Sequence, residues 1–225
     1  MLYEFCAENF ERVPEAIAAG AKRIELCDNL AVGGTTPSAG VLSAAVNYSH
    51  GHGARVMCMI RPRGGDFSVS ESELRMMEID MGIAAGAGTD GLVFGCLKRR
   101  SGGWALDQMT LGALVTAAAC SAEEAGRDPF DLTFHMAFDA LEPEAQFDAI
   151  DTLAECNVSR ILTHGGAAGT PIEENLEHLA QLIEYADGRL TILPGGGISY
   201  KNRDIVAKAL GVSELHGTKI VPLER

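Results

Sequence analysis

Four times along this chain a stretch of helical character ends in a phrase of small residues and is followed at once by a short apolar run. Ala18-Ala19-Gly20-Ala21 precedes Ile24-Glu25-Leu26, and Ala84-Ala85-Gly86-Ala87 precedes Gly91-Leu92-Val93-Phe94. Looser copies are Ala154-Glu155-Cys156-Asn157 before Ile161-Leu162-Thr163, and Ala209-Leu210-Gly211-Val212 before Glu214-Leu215-His216. Glycine after a helix supplies the left-handed cap, and the apolar runs have the length of a buried strand rather than a helix. The repeating unit is helix, tight turn, strand.

Filling the intervals predicts strands near residues 2–7, 22–27, 54–61, 90–95, 131–135, 159–163, 189–194 and 213–216. Helices are predicted near 9–19, 38–50, 71–86, 107–126, 143–156, 171–186 and 201–210, with Leu176, Leu179, Leu182 and Ile183 showing the helical spacing. Such alternation implies α/β architecture with a parallel sheet wound by crossovers. With eight strands the favoured closure is a single (β/α)8 TIM barrel spanning residues 1–225, and an open doubly wound sheet is the competitor. Only Thr218 to Arg225 follows the last predicted strand. An eighth helix is therefore expected to be short or absent, with the bottom of the first strand exposed or covered by a partner subunit in a homo-oligomer such as a dimer.

The acidic balance, 18 Lys+Arg against 31 Asp+Glu with a formal charge of -13, argues against non-specific binding to nucleic acid or an anionic membrane. The start, Met1 to Glu8, has no positive n-region, and no apolar run reaches the roughly 18 residues of a membrane span. A cytoplasmic protein is expected. The six cysteines sit singly, never as Cys-x-x-Cys, and are expected to be free thiols.

In a parallel barrel, function collects at the carboxyl ends of the strands. Those ends carry Cys6 and Glu8; Glu25, Cys27 and Asp28; Arg61, Arg63 and Asp66; His135 and Asp139; His164, Gly165 and Gly166; Gly195, Gly196 and Gly197; and His216, Gly217 and Thr218. Glu8, Glu25, Arg61, His135 and Asp139 are the candidate catalytic groups, as acids, bases and a charge stabiliser. Each has a plainer reading. Glu25 in an apolar strand is costly unless paired, and Arg61 at the same level would fill the barrel as its partner. His135 suits a core imidazole as well as an acid or base near neutral pH, and Asp139 suits a helix cap. Glycine turns at Gly165-Gly166, Gly195-Gly196-Gly197 and Gly217, with Arg63 nearby, form a candidate anion site, because backbone N–H groups approach an anion closely where no Cβ intervenes.

The predicted first and second strands repeat Glu-x-Cys, as Glu4-Phe5-Cys6 and Glu25-Leu26-Cys27. Alternation puts each Glu on the face of its Cys, and parallel neighbours lie about 4.8 Å apart, so strands in register would bring the thiols together. A buried free cysteine is by default a small hydrophobe. A thiol pair with Met57, Met59 and Met136 nearby is also a soft donor set that selects Cu(I). Cys58, Cys96, Cys120 and Cys156 are assigned to packing.

Longer stretches resemble the CutC family, named as copper homeostasis proteins. They are Arg23-Ile24-Glu25-Leu26-Cys27, Val32-Gly33-Gly34-Thr35-Thr36-Pro37-Ser38, Ile60-Arg61-Pro62-Arg63-Gly64-Gly65-Asp66-Phe67, Asp90-Gly91-Leu92-Val93-Phe94-Gly95, Phe134-His135, Ala137-Phe138-Asp139 and Pro194-Gly195-Gly196-Gly197-Ile198. The resemblance implies a (β/α)8 barrel, a cytoplasmic location, oligomerisation and a copper-linked role, with Cys6 and Cys27 matching the family's suggested Cu(I) ligands. Met136 stands where the family usually has Arg, and His164 where Ser is usual. The alternative is an isomerase, epimerase or lyase acting on a small phosphorylated or carboxylated molecule held by the glycine loops. Copper ion and a small anionic molecule are thus the two expected partners, with no nucleic acid and no membrane.

Overall fold

The computed structural model describes residues 1–167 and 169–223. In chain order the strands are β1 (Leu2–Glu8), β2 (Arg23–Cys27), β3 (Arg55–Met59), β4 (Gly91–Phe94), β5 (Leu97–Arg100), β6 (Gly103–Leu106), β7 (Asp131–Phe134), β8 (Arg160–Thr163), β9 (Thr191–Pro194) and β10 (Glu214–Gly217). The helices are α1 (Val13–Ala18), α2 (Ala39–Gly51), α3 (Glu71–Ala87), α4 (Gln108–Glu124), α5 (Pro143–Glu155), α6 (Leu176–Ala186) and α7 (Arg203–Leu210).

Local chemistry sets their ends. Ser70 caps α3 in a reciprocal box with Glu73, and Gly88 closes that helix at φ +92°, where a Cβ would be strained. Pro143 opens α5, where its missing N–H costs nothing.

Among the described residues, eight parallel strands run in the order β10-β1-β2-β3-β4-β7-β8-β9. The order follows the chain and returns to its start, because β10 pairs with β1 through Leu2 opposite Glu214 and Glu4 opposite His216. A doubly wound sheet would reverse direction at its middle, so the sheet is a nearly closed (β/α)8 barrel. From Thr218 to Leu223 no helix follows β10; Lys219 instead bridges to Ser199. The antiparallel hairpin β5–β6 is an excursion that the alternation pattern did not predict. Its turn, Ser101-Gly102-Gly103, carries Gly103 at φ +125°, and Arg99 stacks on Trp104 across it.

Strand alternation divides the side chains into two populations. Phe5, Ile24, Leu26, Val56, Cys58, Leu92, Phe94, Phe134 and Ile161 face the helices and form the main apolar core. The barrel interior is different: Cys6, Cys27, Met57, Met59 and Val93 form a separate small cluster there. Toward the amino ends of the strands the interior is ionic, with Arg23 paired to Glu4 and Glu214, and Arg160 to Asp131. Such barrels are usually filled by branched aliphatic residues. Here an ionic base supports a sulfur-rich layer.

A candidate soft-metal and anion site at the barrel mouth

Register decides which groups meet. Cys6 stands opposite Glu25 on β2, and Cys27 stands opposite Glu8, so the two cysteines are offset by two residues rather than aligned. They still face one another diagonally inside the barrel. The Sγ atoms of Cys6 and Cys27 and a carboxylate oxygen of Glu25 lie within 4.8 Å of each other. All three residues are buried, and Cys27 Sγ is 3.7 Å from Glu25 Oε2.

The partner of Glu25 is not Arg61. It is His216, whose Nε2 lies 3.6 Å from Glu25 Oε2 while its Nδ1 lies 2.8 Å from Glu4 Oε1. The sequence places Glu4 in the repeated Glu-x-Cys and His216 at the rim without joining the two; closure of the barrel pairs them. Burial alone would raise the Glu4 carboxyl, but Arg23 and His216 outweigh it and hold the group at about 2. Burial lowers the His216 imidazole, and Glu25, Cys6 and Glu4 together lift it well above its ordinary value. Burial and the Glu4 charge raise Glu25 against the pull of His216. The result is an imidazolium wedged between two carboxyl groups beneath the thiols. Cys6 is pushed up by its hydrogen bond with Cys27, then by burial and Glu25. The same bond lowers Cys27, but burial and Glu25 overcome it and bring that thiol to about 11. Without a bound cation, both sulfurs remain thiols at neutral pH.

Above this cluster opens a cavity of about 710 Å³, with Cys6, Glu25 and His216 in its floor and Arg61, His135, Met136, Gly196, Gly197 and Gly217 among its walls. Arg61 is buried and donates to the carbonyls of Val32, Gly34 and Gly65 at 3.0 Å each. His135 is also buried. Desolvation first, and then the Arg61 charge, push its imidazole down to about 3, so it is neutral rather than poised to titrate near pH 7. Gly95 makes room for it: a Cβ there would stand 2.3 Å from His135 Cε1. Gly196 and Gly197 adopt φ of +77° and +72° where the chain crosses the rim.

Other residues singled out in the sequence lie away from the cavity. Glu8 is exposed and accepts from the Leu30 N–H at 2.8 Å. Asp139 accepts from Thr163 Oγ1 and the His164 N–H, anchoring the turn after β8. Arg63 is held outside by Glu73 and Asp66. Gly165 and Gly166 clear space for Leu179 and Asn175, and Gly195 for Leu162 and His216. His164 packs against Asn175, 3.2 Å from its amide nitrogen.

A parallel (β/α)8 barrel with thiols, a carboxylate and imidazoles gathered at the carboxyl mouth defines a TIM-barrel protein. The chain belongs to the CutC family: the family model matches residues 1–221. It is 55% identical over 221 residues to a CutC family protein of Enterococcus faecalis, covering 98% of this chain and all of that one. The human copper homeostasis protein cutC homolog is 38% identical over 216 residues, which are 96% of this chain and 72% of the human protein. The crystal structure of a CutC protein from Streptococcus agalactiae superposes with a TM-score of 0.90 at 41% identity, covering 98% of this chain and 100% of that one. No described helix is long and apolar enough to cross a membrane.

Proposed function

We propose that this protein binds Cu(I) through the thiolates of Cys6 and Cys27 as part of a role in copper homeostasis. The observation that carries the reading is the convergence of two buried sulfurs and a carboxylate oxygen within 4.8 Å, in a cluster that also contains Met57 and Met59. Two thiolates satisfy Cu(I), which favours soft ligands and low coordination, and the neighbouring Met57 and Met59 thioethers add soft sulfur that suits Cu(I) over the harder Cu(II). The names of the curated relatives support the copper link.

The ionic floor suits this chemistry. Two thiolates and one Cu(I) carry a net negative charge, and the His216 imidazolium beside Cys6 and Glu25 is placed to compensate it. The methionines shield the ion from water, and the mouth offers an entry path from solvent.

Titration of the reduced protein with Cu(I) against a competing chelator tests the reading. One ion per chain is expected, with binding lost in the Cys6→Ser, Cys27→Ser double variant. Unchanged binding in that variant removes the proposal.

A further inference from the structure

The wall of the mouth cavity carries two groups that lie outside the thiol and carboxylate cluster. Arg61 is 7% exposed, and no carboxylate among the described residues forms an ion pair with it. Its guanidinium is held by three backbone carbonyls, which orient it and satisfy part of its donor set while leaving its charge uncompensated. A buried cation without a counter-charge is expensive.

His135 presents a matching demand. The Ala137 backbone N–H donates to its Nδ1 at 3.1 Å, so in the neutral ring that nitrogen carries no proton and Nε2 does. Nε2 is buried with no hydrogen-bond partner, and His135 is 5% exposed on the cavity wall. An orphaned buried donor is the costly state of a hydrogen-bonding group. Phe67 connects the two groups: its ring lies under the Arg61 guanidinium at 5.1 Å and against the His135 ring at 5.3 Å.

Both demands call for an acceptor carrying negative charge. Glu25 is the one acid among the described lining residues, and it stands beside His216. The rest of the space is walled largely by apolar side chains, including Leu30, Val32, Met59, Phe67 and Leu162, and is far larger than an inorganic ion requires. We propose that this cavity binds a small organic anion, whose acid group accepts from His135 Nε2 and lies against the Arg61 guanidinium while its uncharged carbon body fills the apolar mouth. This assigns the mouth a ligand distinct from the copper beneath it. Carboxylate and phosphate monoester share the required chemistry.

Thermal-shift measurements on the reduced, metal-free protein test the assignment, with acetate, pyruvate, benzoate, methyl phosphate and phenyl phosphate as probes and methyl pyruvate as the neutral control. At least one organic anion is expected to raise the midpoint, bulkier probes more than acetate, and the ester not at all. Comparison of the carboxylate and phosphate arms identifies the preferred head group. His135→Phe removes the Nε2 donor together with the Nδ1 acceptor of the Ala137 N–H, and is expected to weaken binding about tenfold, the scale of a hydrogen bond to a charged acceptor. Arg61→Met also releases the three carbonyls, so His135→Phe carries the decision if Arg61→Met does not fold. The assignment is overturned if no probe stabilises the protein, if the ester matches the anions, or if His135→Phe binds like the parent chain. Copper is not read in these measurements, so their outcome stands apart from that of the thiol titration.

Discussion

His216 on the last strand of the barrel and Glu4 on the first meet across the closure, Nδ1 to Oε1, at 2.8 Å with both side chains buried. The contact joins residues 212 positions apart, and it places a cation directly beneath the thiol pair. Closure of the barrel and electrostatics of the site are therefore one arrangement. Removing one member of such a buried pair typically costs about 3–5 kcal/mol, because it leaves the other uncompensated. His216→Ala should lower stability on that scale in denaturant unfolding, and by far more than the exposed-pair variant Arg63→Ala, expected to cost under about 1 kcal/mol.

The same groups predict the pH dependence of stability. Glu4 is lower in the folded protein, at about 2, than unfolded, so its contribution is present above the ordinary carboxylate range and fades as pH falls toward 2. His216 is raised on folding, so its contribution is complete below the ordinary imidazole value and declines as pH rises through the folded one. Glu25, also raised, adds to the decline with rising pH from the ordinary carboxylate value upward. Unfolding free energies measured from pH 4 to 10 should fall on the alkaline side in the parent chain, and His216→Gln should flatten the part of that fall above the ordinary imidazole value.

Copper binding should release protons. Cys27 is near 11 and Cys6 is higher still than its ordinary value, so both sulfurs must lose a proton to become ligands. Each released proton strengthens apparent affinity about tenfold per pH unit. Chelator competition between pH 6 and 8 should show a slope corresponding to two protons, reduced to one in either single Cys→Ser variant that retains weak binding.

Gly91 tests the packing of the interior. A Cβ at this position would stand 2.2 Å from both the Asp131 carbonyl oxygen and Met57 Cε. One neighbour is backbone and cannot yield. Gly91→Ala should destabilise the fold by at least about 1–3 kcal/mol, the usual range for overpacking. Because Met57 belongs to the sulfur cluster, the variant should also perturb Cu(I) affinity, measured by the same chelator competition.

The barrel was readable in the sequence because its causes are local. Small-residue helix ends and the short apolar runs that follow them each declare an element without reference to the rest of the chain, and the Ser70–Glu73 box and Pro143 fix helix ends just as locally. The first helix proved shorter than its pattern, Val13–Ala18, because the chain runs from β1 through Asn9, in a left-handed conformation, before it can turn. The β5–β6 hairpin leaves no such signal, since Lys98-Arg99-Arg100 lacks the apolar alternation that marks a half-buried strand.

What the residue order determined alone was the winding, and that Glu4 shares a strand face with Cys6 and Glu25 with Cys27. Their pairing was not so determined. Parallel strands can slide by two residues without changing which side chains face inward, and it is the folded register that sets Cys6 opposite Glu25 and leaves the thiols diagonal. Likewise, nothing local in His216 names Glu4 and Glu25 as its neighbours, or distinguishes Arg61 held by carbonyls from Arg63 held by acids. Those distinctions arise from closure, which brings the two ends of the chain together and removes water from charges that would otherwise be solvated alike.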